Sequence, residues 1–356
     1  MNTSFLQELL GSIAERGRAL VERQPGGAAR LPDTLEGLAR ALLSGRGEAS
    51  GVALAKRVLD RYAQASVAER LDFFRLLARD FDPDRGEIGQ ALEAYDREPG
   101  PATLQRLLQV VEPPRQELLR RLNLAPGGTA ALVRMREDLI RHGGKDPLLK
   151  SVDDDFDHLF GSWFNRGFLV LRPIDWSSPA DILERIIRYE AVHEIQGWDD
   201  LRRRVQPSDR RCFGFFHPSL IDEPLIFVEV ALTREIPGSI QDLLAETREV
   251  LPAAEATTAV FYSISNCQLG LRGVSFGNFL IKQVVEELSR ELPGLKSFVT
   301  LSPAPGFAAW LDRTLADPAA ASVPGLDAEA LAALRQPGWD AEPALVDRLR
   351  PGVLGL

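Results

Sequence analysis

The stretch from Ala259 to Trp310 constrains the fold more than any other part of the sequence. It opens with a β-branched and aromatic run, AVFYSIS, passes through a glycine-bearing turn into a long amphipathic segment, and closes with a second apolar run, SFVTLS. Two strand-like runs joined by a helical segment predict a βαβ unit with parallel strands. Such a unit places main-chain N–H groups at a helix start and the hydroxyl of Ser302 at a strand end.

The chain on either side of this stretch shows two patterns. In the first half, apolar residues recur at helical spacing, as in Phe5, Leu9 and Ile13, and short Pro/Gly breaks separate the segments, which predicts a helical bundle. In the second half, helical segments such as DILERIIRYEAVH alternate with strand-like runs, which predicts an α/β domain. We therefore expect two domains, an all-helical bundle over residues 1–160 and an α/β domain over 161–356. The strand-like runs are GFLVLRPI, RCFGFFHPS, PLIFVEVALT, TTAVFYSIS and SFVTLS.

Composition narrows the class of protein. The 356 residues include 26% charged residues and carry a formal net charge of -9, so we expect neither general nucleic-acid binding nor attachment to an anionic membrane. No apolar run approaches membrane-spanning length, and the N-terminus lacks a secretory segment. Cys212 and Cys267 are too few for a disulfide framework, so a reducing, cytoplasmic location is expected.

The first candidate site is the turn between Gln268 and Gly277. Gly270, Gly273 and Gly277 are spaced so that main-chain amides could face a pyrophosphate where the following helix begins. Arg272 could add a guanidinium contact. The alternative is a plain strand-to-helix connection that needs glycine for tight turning, and glycine spacing alone does not decide between the two.

The second candidate is Ser302, at the carboxyl end of a predicted parallel strand, where α/β proteins place ligands. The alternative is helix capping, because Pro303 follows and the segment Gly306–Leu311 has helical character. The residues alone favour the cap.

Histidines and arginines give weaker signals. His217, at the end of a strand-like run, is the most plausible acid or base, whereas His193 is expected on a helix face in a structural role. No spacing of His and Cys is typical of a metal site. A local group of five arginines could contact cofactor phosphates or form a solvated face; it comprises Arg202, Arg203, Arg204, Arg210 and Arg211.

Several segments together resemble the malonyl-CoA decarboxylase family. They are GSWFNRGFLVL, YEAVHEIQGWDDLRRRV, RRCFGFFHPSLIDEPLIFVEVALT, AVFYSISNCQLGLRGVSFGNFLIKQVVEEL and LSPAPGFAAWL, which run in that order from Gly161 to Leu311. The resemblance implies a GNAT-type acyl-CoA-binding fold for the second domain, in which two neighbouring parallel strands splay apart and receive the pantetheine arm. These strands would be AVFYSIS and SFVTLS. The CoA pyrophosphate would lie on a turn comprising Gln268, Gly270, Leu271, Arg272 and Gly273.

The resemblance also implies the chemistry. The family's catalytic serine lies in a Leu-Ser-Pro motif, which corresponds to Ser302 and replaces the capping interpretation. The expected enzyme is a carboxy-lyase that converts malonyl-CoA to acetyl-CoA and carbon dioxide through a thioester enolate, with no metal and no organic cofactor. The helical half would be the oligomerisation domain of a homotetramer. Ser275 and His217 are expected to have supporting roles.

One departure from the family pattern affects the expected activity. The family's catalytic histidine lies in a Phe-His-Leu-x-Asn-Gly-Ala segment, and no histidine follows His217 in this sequence. Ser275 also stands where animal members have a glutamate. We therefore expect a decarboxylase whose C-terminal part is incomplete, with CoA binding and weak turnover. The alternative is a non-catalytic acyl-CoA-binding or assembly module derived from the same family.

Overall fold

The computed structural model describes residues 32–44, 48–164, 166–274, 279–316, 328–336, 338 and 342–353. The chain forms two compact units, residues 1–301 and 302–356. The predicted helix around Phe5, Leu9 and Ile13 lies outside the described residues. Within the described ranges, no helix is long and apolar enough to cross a membrane.

The first part of the chain is helical, as the apolar spacing predicts. Its helices are α1 (Leu35–Leu43), α2 (Glu48–Ala63), α3 (Val67–Asp80), α4 (Arg85–Arg97), α5 (Pro101–Val111), α6 (Pro114–Asn123), α7 (Gly128–His142) and α8 (Pro147–Trp163).

Local sequence signals set where several of these helices begin. Helix α3 starts with a capping box, in which Ser66 Oγ accepts from Glu69 N at 3.3 Å and Glu69 Oε2 accepts from Ser66 N at 2.8 Å. Pro101, Pro114 and Pro147 occupy first positions, where the missing N–H costs nothing. These local signals set where the helices begin.

A five-stranded sheet follows, and its strands coincide with the five strand-like runs. They are β1 (Val170–Ile174), β2 (Arg210–His217), β3 (Leu220–Thr233), β4 (Thr258–Asn266) and β5 (Ser297–Thr300). The strands lie in the order in which they occur in the chain. The pairs β1–β2, β2–β3 and β3–β4 are antiparallel, whereas β4 and β5 are parallel. The helix that connects β4 to β5, α12, is Phe279–Glu291, so the predicted βαβ unit is confirmed.

Three further helices occur in the connections between strands along the chain. Two of them contribute to a hydrophobic cluster on one face of the sheet. They are α9 (Ala180–Tyr189), α10 (Trp198–Val205) and α11 (Ile240–Leu244). Side chains of α9 and α10 pack with Cys212, Phe227 and Cys267. A second cluster joins α11 to Val260 and Tyr262.

The opposite face of the sheet shares its core with the N-terminal helices. Phe215, Val228 and Phe261 belong to the same buried cluster as Phe156 of α8 and Val284 of α12. The domain boundary near residue 160 stays a prediction, and apolar packing is continuous across that position. The helical region and the sheet therefore bury apolar surface together rather than in two separate cores.

The unit that begins at Ser302 is helical in its described part. It contains α13 (Phe307–Ala316), α14 (Ala328–Leu334) and α15 (Pro343–Val353). Helices α14 and α15 contact each other, and Arg348 Nη1 donates to Glu329 Oε1 at 2.9 Å. The segment with predicted helical character, Gly306–Leu311, corresponds to the start of α13.

The predicted fold class is confirmed, because a helical region precedes a mixed sheet flanked by helices.

Candidate functional site

The two parallel strands of the βαβ unit part after four paired residues. Their register runs from Thr258↔Ser297 to Phe261↔Thr300, and Leu301 N donates to Phe261 O at 2.9 Å. Strand β4 continues to Asn266, pairing with β3 alone among the described strands. Main-chain groups on the other side of β4 are therefore available to a ligand along this half of the strand.

A β-bulge marks the point at which the strands part. The β3–β4 register passes from Val230↔Phe261 to Glu229↔Ser263, which leaves Tyr262 as the extra residue of β4. A bulge interrupts the alternation of side chains, so Tyr262 and Ser263 both project to the face that carries Glu229. The bulge therefore places the polar side chains of Tyr262 and Ser263 on one face, next to the end of the β4–β5 pairing.

The turn after β4 is a short 3₁₀ helix, Leu269–Leu271. Three of its amides are used inside the turn: Leu271 N donates to Gln268 O, Arg272 N to Leu269 O, and Val274 N to Leu271 O, at 2.9–3.1 Å. Gly273 has a φ of +90°, a conformation that favours glycine. These hydrogen bonds and the Gly273 conformation define the shape of the turn.

The predicted CoA-contacting residues of this turn face different ways. Gln268 is buried, and its Nε2 donates to Glu223 Oε2 at 3.1 Å and to Pro224 O at 3.4 Å. Leu271 is part of the large core. Arg272 is exposed, and its side chain has no hydrogen bond or ion pair with the residues that the structure describes. Ser275 lies outside those residues.

Gly270 is explained by packing against α7. A Cβ built on Gly270 would lie 2.0 Å from the carbonyl oxygen of Val133, and its own carbonyl accepts from Arg136 Nη1 at 3.2 Å. Both glycines of the turn therefore have structural reasons for their identity, and their contact with CoA remains a prediction.

Ser302 is separated from the last residue of β5, Thr300, by Leu301, and its side chain is exposed. Helix α13 begins only at Phe307, so Ser302 is not the N-cap residue of that helix. The capping alternative is therefore wrong, because four residues separate the hydroxyl from the first helical turn.

His217 is held by its surroundings at the end of β2. Its Nδ1 accepts from Ser219 N at 3.1 Å, and its ring lies 4.9 Å from that of Phe164. Burial lowers the pKa of His217, and a hydrogen bond to the main chain of Trp163 partly offsets this effect. These contacts support a structural role, and a supporting role in catalysis stays a prediction.

His193 does not lie on a helix, contrary to expectation, because α9 ends at Tyr189. The carboxylate of Glu190 ends the helix by accepting from Val192 N at 2.8 Å and His193 N at 2.7 Å. Such side-chain acceptors turn the chain away from helical geometry. The carbonyl of His193 accepts from Arg204 Nη1 at 2.7 Å.

Sequence analysis missed a buried polar cluster on the α9–α11 face. Glu190 also accepts from Ser263 Oγ at 2.7 and 2.8 Å and from Ser265 Oγ at 3.1 Å. Ser263 and Ser265 alternate along the half of β4 that is free of β5. The alternating serines within an otherwise apolar strand were the available signal.

Glu229 lies beside this cluster and is completely buried, with 0% exposure. Its Oε2 accepts from Arg204 Nη1 at 3.4 Å, and its Oε1 has no partner among the described residues. Burial, reinforced by the negative charge of Glu190, raises the pKa of Glu229 to about 8, and Arg204 opposes the shift only partly. Burial and the unpaired Oε1 therefore favour the protonated, neutral form of Glu229.

The five clustered arginines do not form one free basic patch: Arg202 is exposed, Arg203 and Arg211 are half-buried, and the other two lie inside the protein. Arg204 and Arg210 are buried, and each of the five has a protein partner. The partners are Gln206 for Arg202, Asp200 and Glu246 for Arg203, Asp200 and Glu229 for Arg204, the Leu243 carbonyl for Arg210, and Glu291 for Arg211.

Within the described ranges, no group of three or more His, Cys, Asp or Glu side chains could hold a metal ion.

The fold and the site define a class of protein. A mixed sheet in which parallel strands β4 and β5 part at a bulge, with a tight turn after β4, is consistent with a GNAT-type acyl-CoA-binding domain.

Comparison with known proteins identifies the family. Residues 81–164 match the malonyl-CoA decarboxylase N-terminal domain, and residues 167–356 match the malonyl-CoA decarboxylase C-terminal domain. The crystal structure of malonyl-CoA decarboxylase from Rhodopseudomonas palustris is 57% identical, with a TM-score of 0.82, over 90% of this chain and 78% of that one. The corresponding structure from Agrobacterium vitis is 55% identical, with a TM-score of 0.82, over 89% and 77%. The chain therefore belongs to the malonyl-CoA decarboxylase family.

Curated relatives from animals are more distant. Mitochondrial malonyl-CoA decarboxylase from Anser anser anser is 40% identical over 259 residues, which are 68% of this chain and 51% of that protein. The protein from Rattus norvegicus is 36% identical over 69% and 53%. The chain spans about half the length of these curated relatives.

Proposed function

We propose that the protein is a carboxy-lyase that converts malonyl-CoA to acetyl-CoA and carbon dioxide. The observation that carries this proposal is the half of β4 beyond Phe261, which has left β5 and ends in a tight turn. Free main-chain groups along this half suit the amides of a pantetheine arm. Arg272 is exposed at the far end, where the CoA pyrophosphate would meet its guanidinium group.

The proposed reaction needs stabilisation of negative charge at the acyl end. When the bond between the α-carbon and the carboxylate breaks, its electron pair passes into a thioester enolate, and the α-carbon then takes up one proton to give acetyl-CoA. We assign the hydroxyl of Ser302 as a donor to the malonyl carboxylate or to the enolate oxygen. A preorganised donor to such an oxygen is worth about 3–4 kcal/mol, or roughly 10²–10³ in rate.

Further properties belong to the same proposal. The CoA thioester is the substrate, and we propose that the reaction requires neither a metal nor an organic cofactor. We also propose a homotetramer, with the helical region at its interfaces, and a cytoplasmic location. The two cysteines of the chain, Cys212 and Cys267, are free and buried, which supports a reducing environment.

The test measures turnover and binding on the full-length gene product. Malonyl-CoA is the substrate for turnover, which is followed by acetyl-CoA formation, and CoA affinity is measured by calorimetry. Ser302→Ala should lower kcat by roughly 10²–10³ and leave CoA affinity unchanged, and Ser289→Ala on α12 is the matched control. Arg272→Ala should weaken CoA binding by about tenfold or more. Arg290→Ala, which changes an exposed arginine on α12, should not.

Two results would contradict the proposal. Wild-type protein that binds CoA but forms no acetyl-CoA would favour the acyl-CoA-binding module. Wild-type protein that binds no CoA would exclude both the decarboxylase and the acyl-CoA-binding module.

A further inference from the structure

Arg136 joins the helical region to the candidate CoA turn. It lies on α7, is 3% exposed, and its guanidinium group donates to three acceptors. Nε donates to Asp153 Oδ1 at 2.8 Å and Nη2 to Asp157 Oδ1 at 3.3 Å. The third donor, Nη1, reaches the carbonyl of Gly270 at 3.2 Å. Only the forked geometry of arginine allows one buried side chain to satisfy acceptors in these three directions.

The contact between the turn and α7 has no room for adjustment. The Gly270 backbone lies directly against the carbonyl of Val133, three residues before Arg136 on α7. On the sheet side, Gln268 is hydrogen-bonded to β3 through Glu223 and the Pro224 carbonyl. The turn is therefore fixed from two sides, and Arg272, which follows the fixed residues, is exposed.

Charge gives Arg136 a second effect at the turn. Asp153 and Asp157 lie one helical turn apart on α8, and the side chain of Asp157 comes within 3.4 Å of a Cβ built on Gly273. An unpaired carboxylate at that distance would repel a phosphate bound at the turn. Arg136 offsets part of this negative charge, because its one guanidinium group pairs with both aspartates.

We propose that Arg136 is a positioning residue for CoA, which holds the Gly270 carbonyl and screens Asp157 so that the turn can accept the pyrophosphate. The helical region is then part of the CoA site as well as of the shared core. This inference rests on the proposed function, because it concerns the same turn.

Arg115 provides a matched control. It is also a buried arginine of the helical region, 4% exposed, and it also pairs with two aspartates, Asp82 and Asp155. It makes no hydrogen bond to the turn among the described residues. Arg115→Lys and Arg136→Lys should therefore cost similar stability, and only Arg136→Lys should affect CoA.

The experiment compares CoA with acetylpantetheine, which lacks the pyrophosphate. Full-length wild-type protein, Arg136→Lys and Arg115→Lys are titrated with each ligand by calorimetry, and their unfolding is followed in urea. We expect Arg136→Lys to weaken CoA binding by about tenfold, because lysine keeps the positive charge but lacks the fork that reaches the Gly270 carbonyl and both aspartates together, so the charge-assisted hydrogen bond to the turn is lost. Acetylpantetheine binding should change by less than about twofold, and KM for malonyl-CoA should rise with kcat unchanged.

Asp157→Asn supplies a readout that a purely structural role would not move. The amide retains an oxygen for Arg136 and removes the negative charge beside Gly273. CoA affinity should rise by about threefold at low salt, and the gain should shrink as salt is added.

Three outcomes would overturn the inference. These are unchanged CoA affinity in Arg136→Lys, an equal loss in Arg115→Lys, and an equal loss for acetylpantetheine. Wild-type protein that binds no CoA would instead refute the proposed function.

Discussion

The neutral state of Glu229 leads to a quantitative prediction about stability. Glu229 is fully buried, one of its oxygens has no partner among the described residues, and its pKa is raised to about 8 by burial and then by the charge of Glu190. Glu229→Gln keeps the shape of the side chain and makes it permanently neutral. The variant should therefore follow the native protein below pH 4.5 and differ from it increasingly at higher pH.

The sign and size follow from proton linkage. The pKa of Glu229 is about 8 in the folded protein and 4.5 for the ordinary group. Its contribution to stability is fully present below pH 4.5 and is lost as the pH rises through 8, because the unfolded chain releases the proton first. From pH 5.5 to 7.5, the free energy of unfolding of the wild type should fall by about 2.5 kcal/mol relative to that of Glu229→Gln.

Urea unfolding, followed by tryptophan fluorescence at several pH values, measures this difference. Glu93→Gln is the control, because Glu93 is an exposed helix residue whose substitution should give a constant offset. If the wild-type and Glu229→Gln curves run parallel between pH 5.5 and 7.5, Glu229 is ionised in the fold and the reasoning fails. A steeper fall in Glu93→Gln would point to a different titrating group.

Three further substitutions test the packing around the site. Gly270→Ala should cost about 2 kcal/mol or more in the free energy of unfolding and weaken CoA binding, because its Cβ would meet the Val133 carbonyl at 2.0 Å; a wild-type urea midpoint would contradict this contact. Tyr262→Phe should leave the free energy of unfolding unchanged or raise it by up to about 1 kcal/mol, since the buried hydroxyl has no partner in the described structure, and a loss above about 2 kcal/mol would reveal one. His217→Phe should cost about 1–2 kcal/mol by removing the bond from Ser219 N while kcat per folded molecule is retained; a tenfold drop in kcat would support a catalytic role.

Much of the fold could be predicted from local patterns. The five strand-like runs became β1 to β5, and the capping box at Ser66 and the prolines at helix starts fixed helix boundaries. These signals are local, since alternation, helical spacing and caps act over a few residues. The one clear miss, a helix extended through His193, occurred because Glu190 accepts the amides of Val192 and His193 instead of continuing the helix.

The site was predictable only where a motif carried it. The turn from Gln268 to Gly273 and the strand end before Ser302 could be read from the sequence, as could the family. The sequence did not reveal that Arg136, 134 residues before Gly270, would bond its carbonyl, nor that a bulge would project Tyr262 and Ser263 to one face.

By itself, then, the sequence determined the elements, their order and the family, because periodicity and motifs are written in neighbouring residues. Tertiary structure alone decided which polar groups are buried together. Glu229, Glu190 and Arg204 come from separate elements, and the pKa of Glu229 is raised by its burial and by the charge of Glu190, which only folding brings near. Folding also decided which apolar faces meet, since side chains of the N-terminal helices and of the sheet share one buried cluster.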